Sequence, residues 1–78
     1  MEQFNKKIGV YIRIDVEDNV IDVNSDVFID DLSGWIKIDE GFGDKYAHAQ
    51  SQYFDEPLMN ELGVYTYKYV DGKIVKNQ

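Results

Sequence analysis

The 78-residue sequence contains no cysteine, which removes disulfides and any thiolate zinc centre. Its single histidine cannot form the histidine pair that many metal sites need, and its single proline leaves the chain with little rigid punctuation. Basic residues are scarce, with eight lysines and arginines against fifteen acids and a net charge of −7. Nucleic-acid binding depends on cations that displace counterions from phosphate, so this balance argues against a DNA or RNA reader. An anionic membrane surface is disfavoured for the same reason. No apolar run approaches the roughly 20 residues that span a bilayer, and the opening "MEQFNKK" lacks the apolar centre of a signal peptide.

What is present suffices for a fold. Apolar residues make up 44% of the chain and aromatics 14%, which is not a disordered composition. A chain this short is one domain, and it buries only roughly 60% of its unfolded surface. With disulfides excluded, and no metal or other cofactor expected, homo-oligomerisation is the remaining aid to stability. Residues 1–7 read as a loose N-terminal extension.

Two hairpins stand out. In "IGVYIRIDVEDNVIDVNS", Val10, Ile12, Ile14 and Val16 alternate with polar residues at the period of a half-buried strand, and "VIDV" returns after an acidic corner. Two registers compete: a turn on Asp18-Asn19 opposes Asp15 to Asp22, and one on Glu17-Asp18 opposes Arg13 to Asp22. Both place Ile21 and Val23 on the face of Ile12 and Ile14. The second hairpin, "GVYTYKYVDGKIVKN", turns on Asp71-Gly72, pairs Tyr69 with Ile74 and Tyr67 with Lys76, and sets Tyr65, Tyr67 and Tyr69 along one side. Both hairpins open on "GVY" (Gly9–Tyr11 and Gly63–Tyr65), which reads as two copies of one structural solution. "WIKID" supplies a further, central strand, with Trp35 as core or rim.

Residues 40–54, "EGFGDKYAHAQSQYF", carry the most distinctive chemistry. Asp44 is placed to cap a short helix near 44–54, with Tyr46, Ala49, Gln50 and Tyr53 on one face. "AHAQSQYF" also alternates well enough to serve as a strand. The glycines lack the spacing of a phosphate loop. His48 has no cysteine partner, and no serine lies in a "GxSxG" elbow, so no nucleophile–base pair assembles. "DVNSDVFIDDLS" begins like a calcium loop with Asp22, Asn24 and Asp26. It then places Val27 where the bend needs glycine, and Ser33 where a bidentate glutamate belongs, so it reads as a solvated acidic edge. These residues point away from an enzyme. Tyrosine suits protein interfaces, having an apolar ring and a hydroxyl that water satisfies. The candidate interaction residues are Tyr46, His48, Tyr53, Tyr65, Tyr67 and Tyr69.

The segments Gly43-Asp44-Lys45-Tyr46 with His48-Ala49-Gln50, then Tyr53-Phe54 with Leu58-Met59, then Tyr69 with Asp71-Gly72-Lys73, together resemble a family of short proteins. These are encoded among the tail genes of phages and prophages of Gram-positive bacteria. The similarity runs from about Ser25 to Val75. It implies a tail-associated accessory, adaptor or fibre-assembly protein whose partner is a tail or fibre component. Such a protein works in the bacterial host cytoplasm during assembly, or in association with the virion. The alternative is an acidic inhibitor or DNA-mimicking decoy for a basic host protein. The expected fold is α+β: a small single domain over residues 1–78, mainly antiparallel, with two hairpins, a central strand and one short helix.

Overall fold

The computed structural model describes residues 7–77, so the expected loose extension, except for Lys7, lies outside the described residues. The fold is α+β and built on antiparallel strands. Strands β1 (Ile8–Ile14), β2 (Val20–Ser25) and β3 (Ile36–Gly41) form one sheet in the order β2-β1-β3. Two single-turn helices follow, α1 (Asp44–Ala47) and α2 (Ala49–Gln52), and then a hairpin of β4 (Tyr67–Val70) and β5 (Lys73–Lys76). The strand expected to be central, β3, is an edge strand; β1 holds the centre because β2 and β3 both pair with it.

The first hairpin adopts the register that opposes Arg13 to Asp22. Its corner is set by one side chain. Asp15 Oδ1 accepts the amides of Glu17 and Asn19 at 2.9 Å each, and Oδ2 accepts Asn19 Nδ2 at 3.1 Å. Asp18 takes the left-handed conformation at φ 69, a position where a short Asp side chain is tolerated. A bulge then pairs Ile14 with Val20 instead of Ile21. Val20 is fully buried and Ile21 turns outward, 40% exposed, which corrects the expectation that Ile21 shares the buried face.

The second hairpin pairs as the sequence predicts: Tyr67 with Lys76, Lys68 with Val75 and Tyr69 with Ile74. Asp71 and Gly72 both have positive φ, 54 and 78, the pair of conformations that a two-residue turn requires to match strand twist. The shared "GVY" letters do not mark equivalent structure. Gly9 lies inside β1, whereas Gly63, at φ 81, closes a loop ahead of β4. That loop is a third, smaller hairpin. Met59 bridges Tyr65, the Thr66 amide donates to the Leu58 carbonyl, and Asn60 Oδ1 accepts the amides of Leu62 and Val64.

The expected single helix is broken at His48, whose φ of −109 and ψ of 45 lie outside the helical region. In a continuous helix the Ala47 carbonyl would accept from residue 51. Here Ser25 Oγ donates to that carbonyl at 2.8 Å, and the Ser51 amide goes to the His48 carbonyl at 3.1 Å. Nor does Asp44 cap. Gly43, at φ 100, precedes the first turn, and its carbonyl accepts the Tyr46 and Ala47 amides at 3.2 and 3.0 Å. Only glycine takes that backbone conformation without strain.

Val10, Ile12, Val20, Val23, Ala49 and Tyr67 form the core, with Ile14, Ile36, Ile38, Phe54, Leu58 and Ile74 packed around them. Fully burying an aliphatic side chain of this size is worth about 1.5–3 kcal/mol, so the few complete burials at Val10, Ile12 and Val20 matter. An aromatic row joins the helices to the second hairpin. Tyr46 lies 6.1 Å from Tyr53, Tyr53 5.2 Å edge-on from Phe54, and Phe54 4.5 Å from Tyr67 between ring centroids. The sheets are also stitched through backbone, by an Asn19–Lys68 bridge and a Tyr69 amide that donates to the Asp18 carbonyl at 2.9 Å.

Candidate protein-interaction surface

The six candidate residues do not share one surface. Tyr67 is 7% exposed and belongs to the core, because its side of β4 faces Phe54 and not solvent. Tyr65 and Tyr69 are half-buried; Tyr65 accepts Asn77 Nδ2 on its carbonyl at 3.1 Å, and Tyr69 packs against the core. The tyrosine ridge therefore faces inward for most of its length, and the hairpin uses it to build the domain.

Tyr46 and Tyr53 are half-buried and play a mixed part. The Tyr46 ring lies on Gly41, where an added Cβ would fall 2.6 Å from it. The Tyr53 hydroxyl donates to Asp39 Oδ2 at 2.8 Å. Burial, and then that bond to an anion, push the Tyr53 phenol well above its ordinary range. Lys45 covers both rings from the solvent side, its ammonium 5.1 Å from the Tyr53 centroid and 6.0 Å from that of Tyr46.

His48 is exposed and sits beside Phe28, with ring centroids 5.9 Å apart. Ser51 Oγ donates to the His48 carbonyl at 3.4 Å, so its hydroxyl is turned to backbone and not to the imidazole. A shallow groove of about 240 Å³ runs between Asn24, Phe28, His48, Gln50 and Ser51. On the other side of Gln50 and Ser51 a second groove, of about 260 Å³, is floored by Val23, Phe54 and Leu58 and rimmed by Asp55, Glu56 and Pro57. The two form one face along α2 and the outer edge of β2. Phe28 is 58% exposed and Val27 55%. Residues 27–29 are an apolar run between acids, and nothing in the sequence alone connects them with His48. Their exposure was legible: three apolar residues bounded by acids in a turn have no neighbour in sequence to cover them.

The acidic tract is committed to backbone. Asp22 Oδ1 accepts the Val23 amide and Asn24 Oδ1 the Ser25 amide, both at 2.9 Å, and Asp26 Oδ2 accepts the Gly9 amide at 3.1 Å. Asp22 and Asn24 lie in β2 and not in a loop, and the described residues hold no cluster of three or more His, Asp or Glu arranged for a metal. Asp31 is held below its ordinary carboxylate value by the Ser33 amide and hydroxyl. Glu40 lies between Lys37, at 2.7 Å, and Lys7, at 3.5 Å; its pKa is lowered, mainly through the Lys37 bond, and that of Lys37 is raised. The second hairpin has its own surface pair, Lys76 with Glu56. No helix among the described residues is long and apolar enough to cross a membrane. No protein-family model, curated protein or solved structure matches the chain.

Proposed function

We propose that the chain is a non-enzymatic binding module that acts through protein–protein contacts, as an accessory, adaptor or fibre-assembly component of a phage or prophage tail. The observation that carries the binding role is the face along α2. There exposed Phe28 and His48 line one groove, and the adjoining groove is floored by Val23, Phe54 and Leu58, in a domain small enough that large apolar groups left in water are costly. The tail assignment rests on the resemblance of residues 43–50, 53–59 and 69–73 described above. Co-expression with each tail and fibre gene encoded beside this one, followed by affinity capture, tests both parts. A stable complex supports the reading, and no complex with any of them sinks it.

The second reading, an acidic decoy for a basic host protein, is favoured by Asp26, Asp30 and Asp31, which are exposed in succession on the β2–β3 connection. Salt separates the two. Decoy binding would weaken steeply between low and physiological ionic strength, and a packed apolar contact would change little.

A further inference from the structure

β3 is an edge strand, and among the described residues only β1 pairs with it. A free edge presents unpaired N–H and C=O groups that can template another chain. With its neighbours the strand reads Trp35-Ile36-Lys37-Ile38-Asp39-Glu40-Gly41-Phe42. Against its own reverse, about a midpoint between Ile38 and Asp39, the strand opposes Lys37 to Glu40, Ile36 to Gly41 and Trp35 to Phe42.

Opposed residues in an antiparallel pair must lie on the same face, and a regular strand fails this condition about such a midpoint. The bulge in β3 restores it. β3 holds one more residue than β1 between the Val10–Asp39 and Tyr11–Lys37 pairs. Ile38 packs on the core, and Asp39 also turns inward to accept the Tyr53 hydroxyl. Lys37 and Glu40 share the outer face, where they pair at 2.7 Å. Ile36 faces the core, and a Cβ on Gly41 would point at the Tyr46 ring on that same side. Trp35 stacks with Arg13, whose guanidinium lies 5.3 Å from the ring centroid, and Phe42 is 52% exposed at the far end.

We propose that the outer edge of β3 pairs antiparallel with the same edge of a second copy of this chain, in the register that sets Lys37 against the partner's Glu40. The two sheets then form one six-stranded sheet about a two-fold axis. Charge selects this occupant. Each copy is strongly acidic, yet β3 carries both signs in self-complementary order. β5 is regular and its only charged residues are Lys73 and Lys76, so no register sets opposite charges against each other across that edge. The inference is independent of the tail assignment.

Sedimentation velocity on the full chain tests it. The wild type is expected to show a concentration-dependent dimer. Lys37→Glu and Glu40→Lys should each weaken dimerisation by roughly tenfold or more, because each opposes like charges twice across the axis. An equimolar mixture of the two variants should recover the dimer as a heterodimer. Within each variant the internal pair stays broken, so recovery cannot come from a restored monomer. The side chains are 48% and 42% exposed, and far-UV circular dichroism should report unchanged folds. A wild type that stays monomeric throughout, single variants that dimerise like the wild type, or a mixture that does not recover would each overturn the proposal.

Discussion

The Tyr53 hydroxyl donates to Asp39 Oδ2 at 2.8 Å, and this bond ties the residue that follows α2 to the bulged part of β3. Replacing Tyr53 with Phe should cost about 1 kcal/mol, the usual worth of one intramolecular hydrogen bond, measured by urea unfolding near neutral pH. The phenol's pKa is raised in the fold above its ordinary value of 10.0, chiefly by burial and then by Asp39. Its contribution is therefore complete below pH 10 and is lost as the pH climbs beyond it. In a spectrophotometric titration the Tyr53 phenol should ionise above its ordinary value of 10.0. Wild-type stability should also fall more steeply above pH 10 than that of Tyr53→Phe.

Asp15 titrates in the opposite sense. Its bond with Asn19 heads the causes that hold it below the ordinary carboxylate value of 3.8. That stabilisation is present above pH 3.8 and disappears as the pH falls through the lower, folded value. Asp15→Ala should lower the urea midpoint at pH 7 with no change in slope. The gap between variant and wild type should close in acid.

Gly41→Ala tests the Tyr46 contact. The new methyl would meet the ring at 2.6 Å in a strand that is otherwise regular at that residue, so the cost is steric and not conformational. Overpacking of this kind costs about 1–3 kcal/mol, and near-UV circular dichroism should report a displaced tyrosine.

At Gly72 the cost is conformational and not steric. A Cβ there meets nothing within 4 Å, but φ is 78. Gly72→Ala should destabilise by about 1 kcal/mol through backbone strain alone, measured as a shift in thermal or urea midpoint.

The second hairpin was fully legible in the sequence, because the chemistry of Asp71-Gly72 acts over two residues and strand period does the rest. The first was legible up to its register, where the sequence allowed two turns; the bonds made by Asp15 select one, and the bulge at Ile21 follows from fitting Val20 into the core. The break at His48 was beyond local reading, since it depends on Ser25, 22 residues away, bonding the Ala47 carbonyl. The small hairpin at Leu58–Thr66 could have been found from Asn60 and Gly63, a side chain suited to turn bonds followed by a residue free to take positive φ. The placement of the candidate tyrosines was half legible. Alternation put Tyr65, Tyr67 and Tyr69 on one side of a strand, but period alone cannot say which side meets the core.

The central claim is that the face around Phe28 and His48 binds a protein partner. Its most direct test is calorimetric titration of the purified chain with the proteins encoded beside its gene, repeated with Phe28→Ala and His48→Ala. Both side chains are exposed, so unfolding midpoints should stay within about 0.5 kcal/mol of wild type. The account predicts a complex with one of these proteins that each substitution weakens by about tenfold or more, as for anchor residues worth above 1 kcal/mol. Binding that survives both substitutions unchanged, or no binding to any of them, would contradict it.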